Sequence, residues 1–126
     1  MGRAKKKLSK SAKLICTKSE AHTYMELPAS LRAIVRSYVR DISRRQKAIA
    51  DSGTPAKLKK RYQSINDKIS AAVEFLDPVL RPILLEDIKN KWGYNKSAAR
   101  DYMARPTYYR QKSRLETEIA RGLGLV

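Results

Sequence analysis

The side chains of this chain best suited to chemistry are arginines, lysines and tyrosines set at helical intervals. Between positions 105 and 114 stand Arg105, Thr107, Tyr109, Arg110, Lys112 and Arg114. Guanidinium groups grip phosphates and guanine edges, hydroxyls bond phosphate oxygens, and an exposed ring covers a sugar or a thymine methyl. This set therefore suits nucleic acid. A second set, Arg32, Arg36, Arg40 and Arg44, recurs every four residues and so lies along one helix face, with Arg45 and Lys47 extending it. It reads equally well as a ridge that tracks phosphates or as a solvated face whose stems lie on apolar neighbours. The third set is Lys5, Lys6 and Lys7, within a stretch that also holds Arg3, Lys10, Lys13 and Lys18 and meets no acid before Glu20.

Nothing comparable supports catalysis. The lone His22 and the lone Cys16 have no motif around them, and four Cys/His ligands for a structural zinc cannot be assembled. There is no glycine-rich phosphate loop, and the carboxylates are dispersed; Glu86 and Asp87 are adjacent in a helical stretch and do not face one cavity. No enzyme, metal or cofactor is expected. A single cysteine cannot close an intrachain disulfide, which suits a reducing cytoplasm. The longest apolar runs are four or five residues, too short to span a membrane, and Leu8 to His22 has no signal-peptide apolar core.

Charge points the same way. Lys and Arg number 28 against 12 Asp and Glu, so 28 − 12 gives a formal charge of +16 on 126 residues. Solubility needs far less, and the excess implies a polyanionic partner. The hydrophobic share of 42% is too high for a wholly disordered chain.

The elements that carry these residues read as all-α. Residues 1–27 form a basic arm and linker, disordered when free, either contacting phosphates or merely solvated. Leu31, Val35, Tyr38, Ile42 and Ile49 make a heptad-like stripe, started by Pro28 with Ser30 as cap. Asp51 to Pro55 breaks it, with Gly53 in the left-handed position, Thr54 as the next cap and Pro55 in the first turn. A second stripe, Leu58, Tyr62, Ile65, Ile69, Val73 and Leu76, completes an antiparallel hairpin over residues 28–77. Its seam either closes internally or serves a homodimer.

Residues 78–126 read as a helix with Ile83, Leu84, Leu85, Ile88 and Trp92, a short helix capped by Asn95 or Ser97, and a last helix from Pro106 to Arg121 ended by Gly122 and Gly124. That order is the tri-helical helix-turn-helix plan. On the last helix Tyr108, Leu115, Ile119 and Leu123 share the inward face, and Pro106, Arg110, Ser113, Arg114 and Thr117 the outward one. Glu116 and Glu118 add negative charge where a groove-reading helix would leave DNA. Most of the five aromatics of this segment are expected in the core, with Tyr109 on the flank.

The run Ala104-Arg105-Pro106-Thr107-Tyr108-Tyr109-Arg110-Gln111-Lys112, followed by Leu115, Ile119-Ala120 and Leu123-Gly124-Leu125, resembles the C-terminus of the ArpU/RinA-type phage late-transcription regulators. Ile83 to Ile88 followed by Trp92-Gly93-Tyr94 is similar to that family's preceding helix, so the match covers roughly residues 80–125. Arg105, Pro106 and Glu116 depart from its usual pattern. The resemblance implies a sigma-factor-like helix-turn-helix acting on late genes in a bacterial host's cytoplasm. It implies that Thr107, Tyr109, Arg110 and Arg114 read the major groove while Arg105 and Lys112 hold phosphates. Contact with RNA polymerase is implied by the resemblance alone. The expectation is a sequence-specific regulator on double-stranded DNA. The rival readings are a small-terminase-like packaging component and a non-specific structural nucleic-acid binder.

Overall fold

Leu31, Val35 and Val39 hold the first helix, α1 (Ala29–Arg40), against the rest of the chain, Val35 being wholly buried. The structure is a computed structural model that describes residues 27–126; every regular element within them is helical. After α1 come α2 (Ile42–Ala50), α3 (Ala56–Ala72), α4 (Leu80–Asn90) and α5 (Arg105–Gly122), with two short 3₁₀ turns, Tyr94–Lys96 and Ala98–Asp101, between the last two. No helix among the described residues is long and apolar enough to cross a membrane. The expected basic arm, with Lys5, Lys6 and Lys7, lies outside the described residues.

Two expected caps are absent, for one physical reason. Pro28 and Pro55 stand immediately before α1 and α3 in extended conformation (ψ 152° and 144°), and neither Ser30 nor Thr54 caps a helix. A proline with φ already set opens the helix through its own carbonyl: Pro28 O accepts from Arg32 N and Pro55 O from Lys59 N, both at 3.0 Å. Gly53 is likewise not left-handed, since the positive φ angles belong to Lys91 and Gly124. The turn is held instead by Asp51, whose Oδ1 accepts from Gly53 N at 2.9 Å. This is an Asx turn, which needs no positive φ.

The first helix of the hairpin is not one rod. It bends at Asp41, between α1 and α2, and Asp41 Oδ2 accepts from Arg44 at 3.1 Å. Past the bend Arg45 turns inward and is 5% exposed, so it does not extend the row of Arg32, Arg36, Arg40 and Arg44 as expected. Its Nε donates to Asn66 Oδ1 at 2.6 Å, and its Nη2 donates to the Tyr38 carbonyl. Asn66 closes the circuit by donating to Ile42 O at 3.4 Å. A guanidinium therefore sits where the apolar stripe calls for a hydrophobe, and two neutral oxygens accept from it. Along the row, Arg32 and Arg36 are half-buried, while Arg40 and Arg44 are exposed.

The core is continuous across residues expected to form separate units. One cluster joins Val35 and Val39 of α1, Ile69 of α3, Leu80, Leu84 and Ile88 of α4, and Tyr108, Leu115 and Ile119 of α5. α2 packs on α3, α1 on both α4 and α5, and α3 also on α5. The chain then ends as its glycines direct. Gly124 takes φ 77°, and Leu125 N donates back to Ala120 O at 2.8 Å, a six-residue closure that uses a left-handed glycine.

Asn66→Ala deletes the neutral acceptor of a buried cation. It should cost about 1–3 kcal/mol, read as a lower urea midpoint at unchanged slope. A loss below about 0.5 kcal/mol, the range of ordinary surface changes, would show that Arg45 needs no such partner.

Candidate nucleic-acid interface

Everything at the start of α5 is aimed by one buried carboxylate. Asp87 lies on α4 in register with Leu80, Leu84 and Ile88 and is 2% exposed. Its Oδ2 accepts from Ser97 Oγ at 2.5 Å and from Tyr108 Oη at 2.9 Å. Ser97 Oγ in turn accepts from Ala99 N at 3.0 Å and caps the second 3₁₀ turn, as one of the two expected caps. Three separate pieces of backbone are thus tied to one oxygen. The expected short α-helix is two 3₁₀ turns instead, because this circuit keeps residues 94–101 tight against the end of α4.

Burial pushes the Asp87 carboxyl above the usual carboxylate range, although the bonds from Ser97 and Tyr108 and the charge of Lys112 pull it back. The Tyr108 hydroxyl is pushed well above its ordinary value, first by burial and then by Asp87 itself. The second effect keeps the Tyr108 hydroxyl protonated and so able to donate to Asp87.

A second layer fastens the flank of α5 to the turn after α4. Tyr108 meets Tyr94 and Tyr109 edge-on, with ring centres 5.5 and 5.0 Å apart. Tyr94 N donates to Tyr109 Oη at 3.2 Å, and Tyr94 Oη donates to Met103 O at 2.8 Å. Lys112 Nζ donates to Trp92 O at 2.7 Å, in the turn just past the end of α4. Arg105 donates to Asn95 Oδ1 at 2.8 Å and lies over the Tyr94 ring at 5.1 Å. Gly93 allows the close approach: a Cβ there would stand 3.0 Å from Tyr109 Oη. Trp92, expected in the apolar stripe of α4, is instead 36% exposed beyond the left-handed Lys91.

The six expected contact residues therefore divide. Arg105, Tyr109 and Lys112 line the side that faces residues 92–95 and hold it, with Arg105 and Tyr109 still exposed to solvent. Thr107 and Arg110 occupy the next row; Arg110 is exposed, its Nη2 donating to Thr107 Oγ1 at 3.3 Å. Arg114 is elsewhere. Its guanidinium lies 4.3 Å from the centre of the Phe75 ring and is half-buried, which withdraws it from the outward face. Thr117, also expected outward, is 7% exposed. The reason is α3, which packs along the C-terminal half of α5, with Lys68 O only 3.7 Å from a Cβ built on Gly122. Of the residues expected outward, Pro106 and Arg110 in the N-terminal half stay exposed.

The elements just before α5 carry cations not singled out from the sequence. Lys89, Lys91, Lys96 and Arg100 are all exposed on the end of α4 and the 3₁₀ turns. Arg100 donates to Asn95 O at 2.8 Å, so it converges with Arg105 on the same asparagine. The first turn of α5 contains no acid, and the Arg121–Glu118 pair lies at the opposite end. A helix start contributes roughly half a positive charge of its own, so anions are drawn to this end. The missed signal was simple: these four cations flank the motif within twenty residues of Arg105.

No protein-family model, curated protein or solved structure matches this chain.

Asp87 gives the interface a pH signature of defined sign. Its folded carboxyl holds a proton more tightly than the unfolded one. Its stabilising contribution is therefore full below the ordinary value of 3.8 and is lost as pH rises through the folded value. Relative to Asp87→Asn, the unaltered chain should gain stability as pH falls from neutral toward that range. The slope cannot exceed about 1.4 kcal/mol per pH unit, the limit for one proton. Denaturant midpoints across pH read it, and parallel curves for the two proteins would contradict it.

Proposed function

We propose that the protein binds double-stranded DNA by setting the N-terminal turns of α5 in the major groove, and that it reads sequence there. The observation that carries this reading is the exposed, acid-free start of α5, where Arg110 stands open beside the half-buried Thr107 while Arg114 and Thr117 further along are withdrawn from solvent. Groove-reading helices contact bases through their N-terminal residues. Arg110 is placed to offer a bidentate fork to the O6 and N7 of a guanine. Tyr109, 42% exposed, can meet a sugar or a thymine methyl. Arg105, Lys96 and Arg100 supply phosphate contacts at the rim, and the charge of +16 supplies salt-sensitive affinity.

Arg114 has no part in this reading, because its ring contact with Phe75 serves the packing of α3 on α5. Lys112 acts by holding the turn at Trp92 and so aims the helix. A role as regulator of phage or prophage late genes, with RNA polymerase as partner, rests on the resemblance of residues 80–125 to the ArpU/RinA-type regulators.

The test separates reading from gripping. On a panel of duplexes differing at single positions, Arg110→Ala should lose about 1–3 kcal/mol on the preferred sequence and relax discrimination at one position. Lys96→Gln should weaken all duplexes alike and lower the salt slope by about one, the loss of one phosphate contact. An equal loss on every duplex for Arg110→Ala sinks the claim of sequence reading.

A further inference from the structure

At the opposite end of the helical order, the bend between α1 and α2 faces α3 across a cavity of about 300 Å³. Three guanidinium groups line it, those of Arg44, Arg45 and Arg61, together with the rings of Tyr38 and Tyr62. The one carboxylate in the lining, Asp41, is held by Arg44 at 3.1 Å. The groove therefore carries three positive charges against one negative. A phosphate group supplies the missing one or two.

The most telling member is Arg45. A buried cation is costly unless a counter-charge or a full set of acceptors meets it. The two groups that accept from Arg45, Asn66 Oδ1 and the Tyr38 carbonyl, are both neutral. Its guanidinium lies 5.9 Å from the centre of the Tyr38 ring, so one aromatic face already steers it. A guanidinium has five N–H donors in a rigid fork, and these two bonds occupy only part of it. Desolvation by burial lowers its hold on the proton, and Arg44 beside it acts in the same direction while Asp41 opposes. An anion in the groove relieves both. Arg61 and Arg44 are exposed at the rim and can close on it.

We infer that this groove is a phosphate site: Arg45 anchors one phosphate group from below, Arg44 and Arg61 clasp it from the rim, and Tyr62 lies beside the attached nucleoside. The phosphate comes either from a nucleic-acid backbone or from a free nucleotide, which present the same chemistry. None of the groove residues belongs to α5, so failure of DNA reading at α5 leaves this site standing, and the reverse holds.

The experiment uses the full chain labelled with ¹⁵N, following the Nε–H resonances of the arginines. Sodium phosphate is titrated against sodium chloride of equal ionic strength, then a deoxynucleoside monophosphate, then duplex DNA. The Arg45 resonance should move with phosphate and not with chloride. Arg61→Gln, an exposed position, should weaken that response roughly tenfold, the loss of one charge-assisted bond. Arg110→Ala should leave it unchanged. If Arg61→Gln also lowers the salt slope of duplex binding by about 0.9, the natural ligand is a backbone phosphate. If the duplex slope is unaltered while the monophosphate response remains, it is a free nucleotide. An Arg45 resonance unmoved by all three, or a response equally strong in Arg61→Gln, overturns the site.

Discussion

The shared hydrogen-bond circuit of Asp87 is the constraint on which the working end of this molecule depends. A carboxylate at a core register of α4 has no tolerable state unless donors reach it, and the donors come from two different elements, Ser97 in the 3₁₀ turns and Tyr108 in α5. Satisfying Asp87 therefore fixes the distance and angle between α4, the intervening turns and the start of α5. The aromatic contacts of Tyr108, and the bonds of Lys112 and Arg105 to residues 92–95, act on a geometry already set. Positioning by a buried polar circuit is more exacting than positioning by apolar packing, because hydrogen bonds weaken steeply with angle.

The distribution of charge follows from the same economy. Among the described residues, Arg45 and Arg114 are drawn inward by different partners. Arg45 finds neutral oxygen acceptors between α2 and α3, and Arg114 finds the face of Phe75. Each takes a place that an apolar side chain could fill, and each joins neighbouring helices. Among the described residues, exposed cations stand on the elements just before α5, at its start and at the α1–α2 bend, as well as on α3.

The all-α class and the inward face of α5 were legible in the residues, because Tyr108, Leu115 and Ile119 recur at the helical period and one period suffices to define one buried face. What could not be read was the second face. A helix touched by two neighbours buries polar positions too, and the spacing within α5 carries no information about α3. Arg114 and Thr117 therefore looked outward until α3 was in place. The helix starts were misassigned because Ser30 and Thr54 are better capping side chains than proline, whereas Pro28 and Pro55 had already set the backbone. Asp87 was passed over as one more dispersed acid. Its register with Leu80, Leu84 and Ile88 was the available signal, since an acid in an apolar row must be buried with a partner. At the candidate site, the outward position of Arg110 and the flanking one of Tyr109 followed from the helical period, and both are exposed. The roles of Arg105 and Lys112 in holding the turn at residues 92–95 were not legible, because both depend on a contact that only folding creates.

The measurement closest to the central claim is selection from random-sequence duplex DNA over several rounds at about 150 mM salt, where sequence-independent binding is weakened. The account predicts enrichment of a short motif containing a guanine, lost when the selection is repeated with Arg110→Ala. Retention that falls away as salt rises, with no motif enriched, would contradict a DNA-reading helix and leave only a general affinity for polyanions.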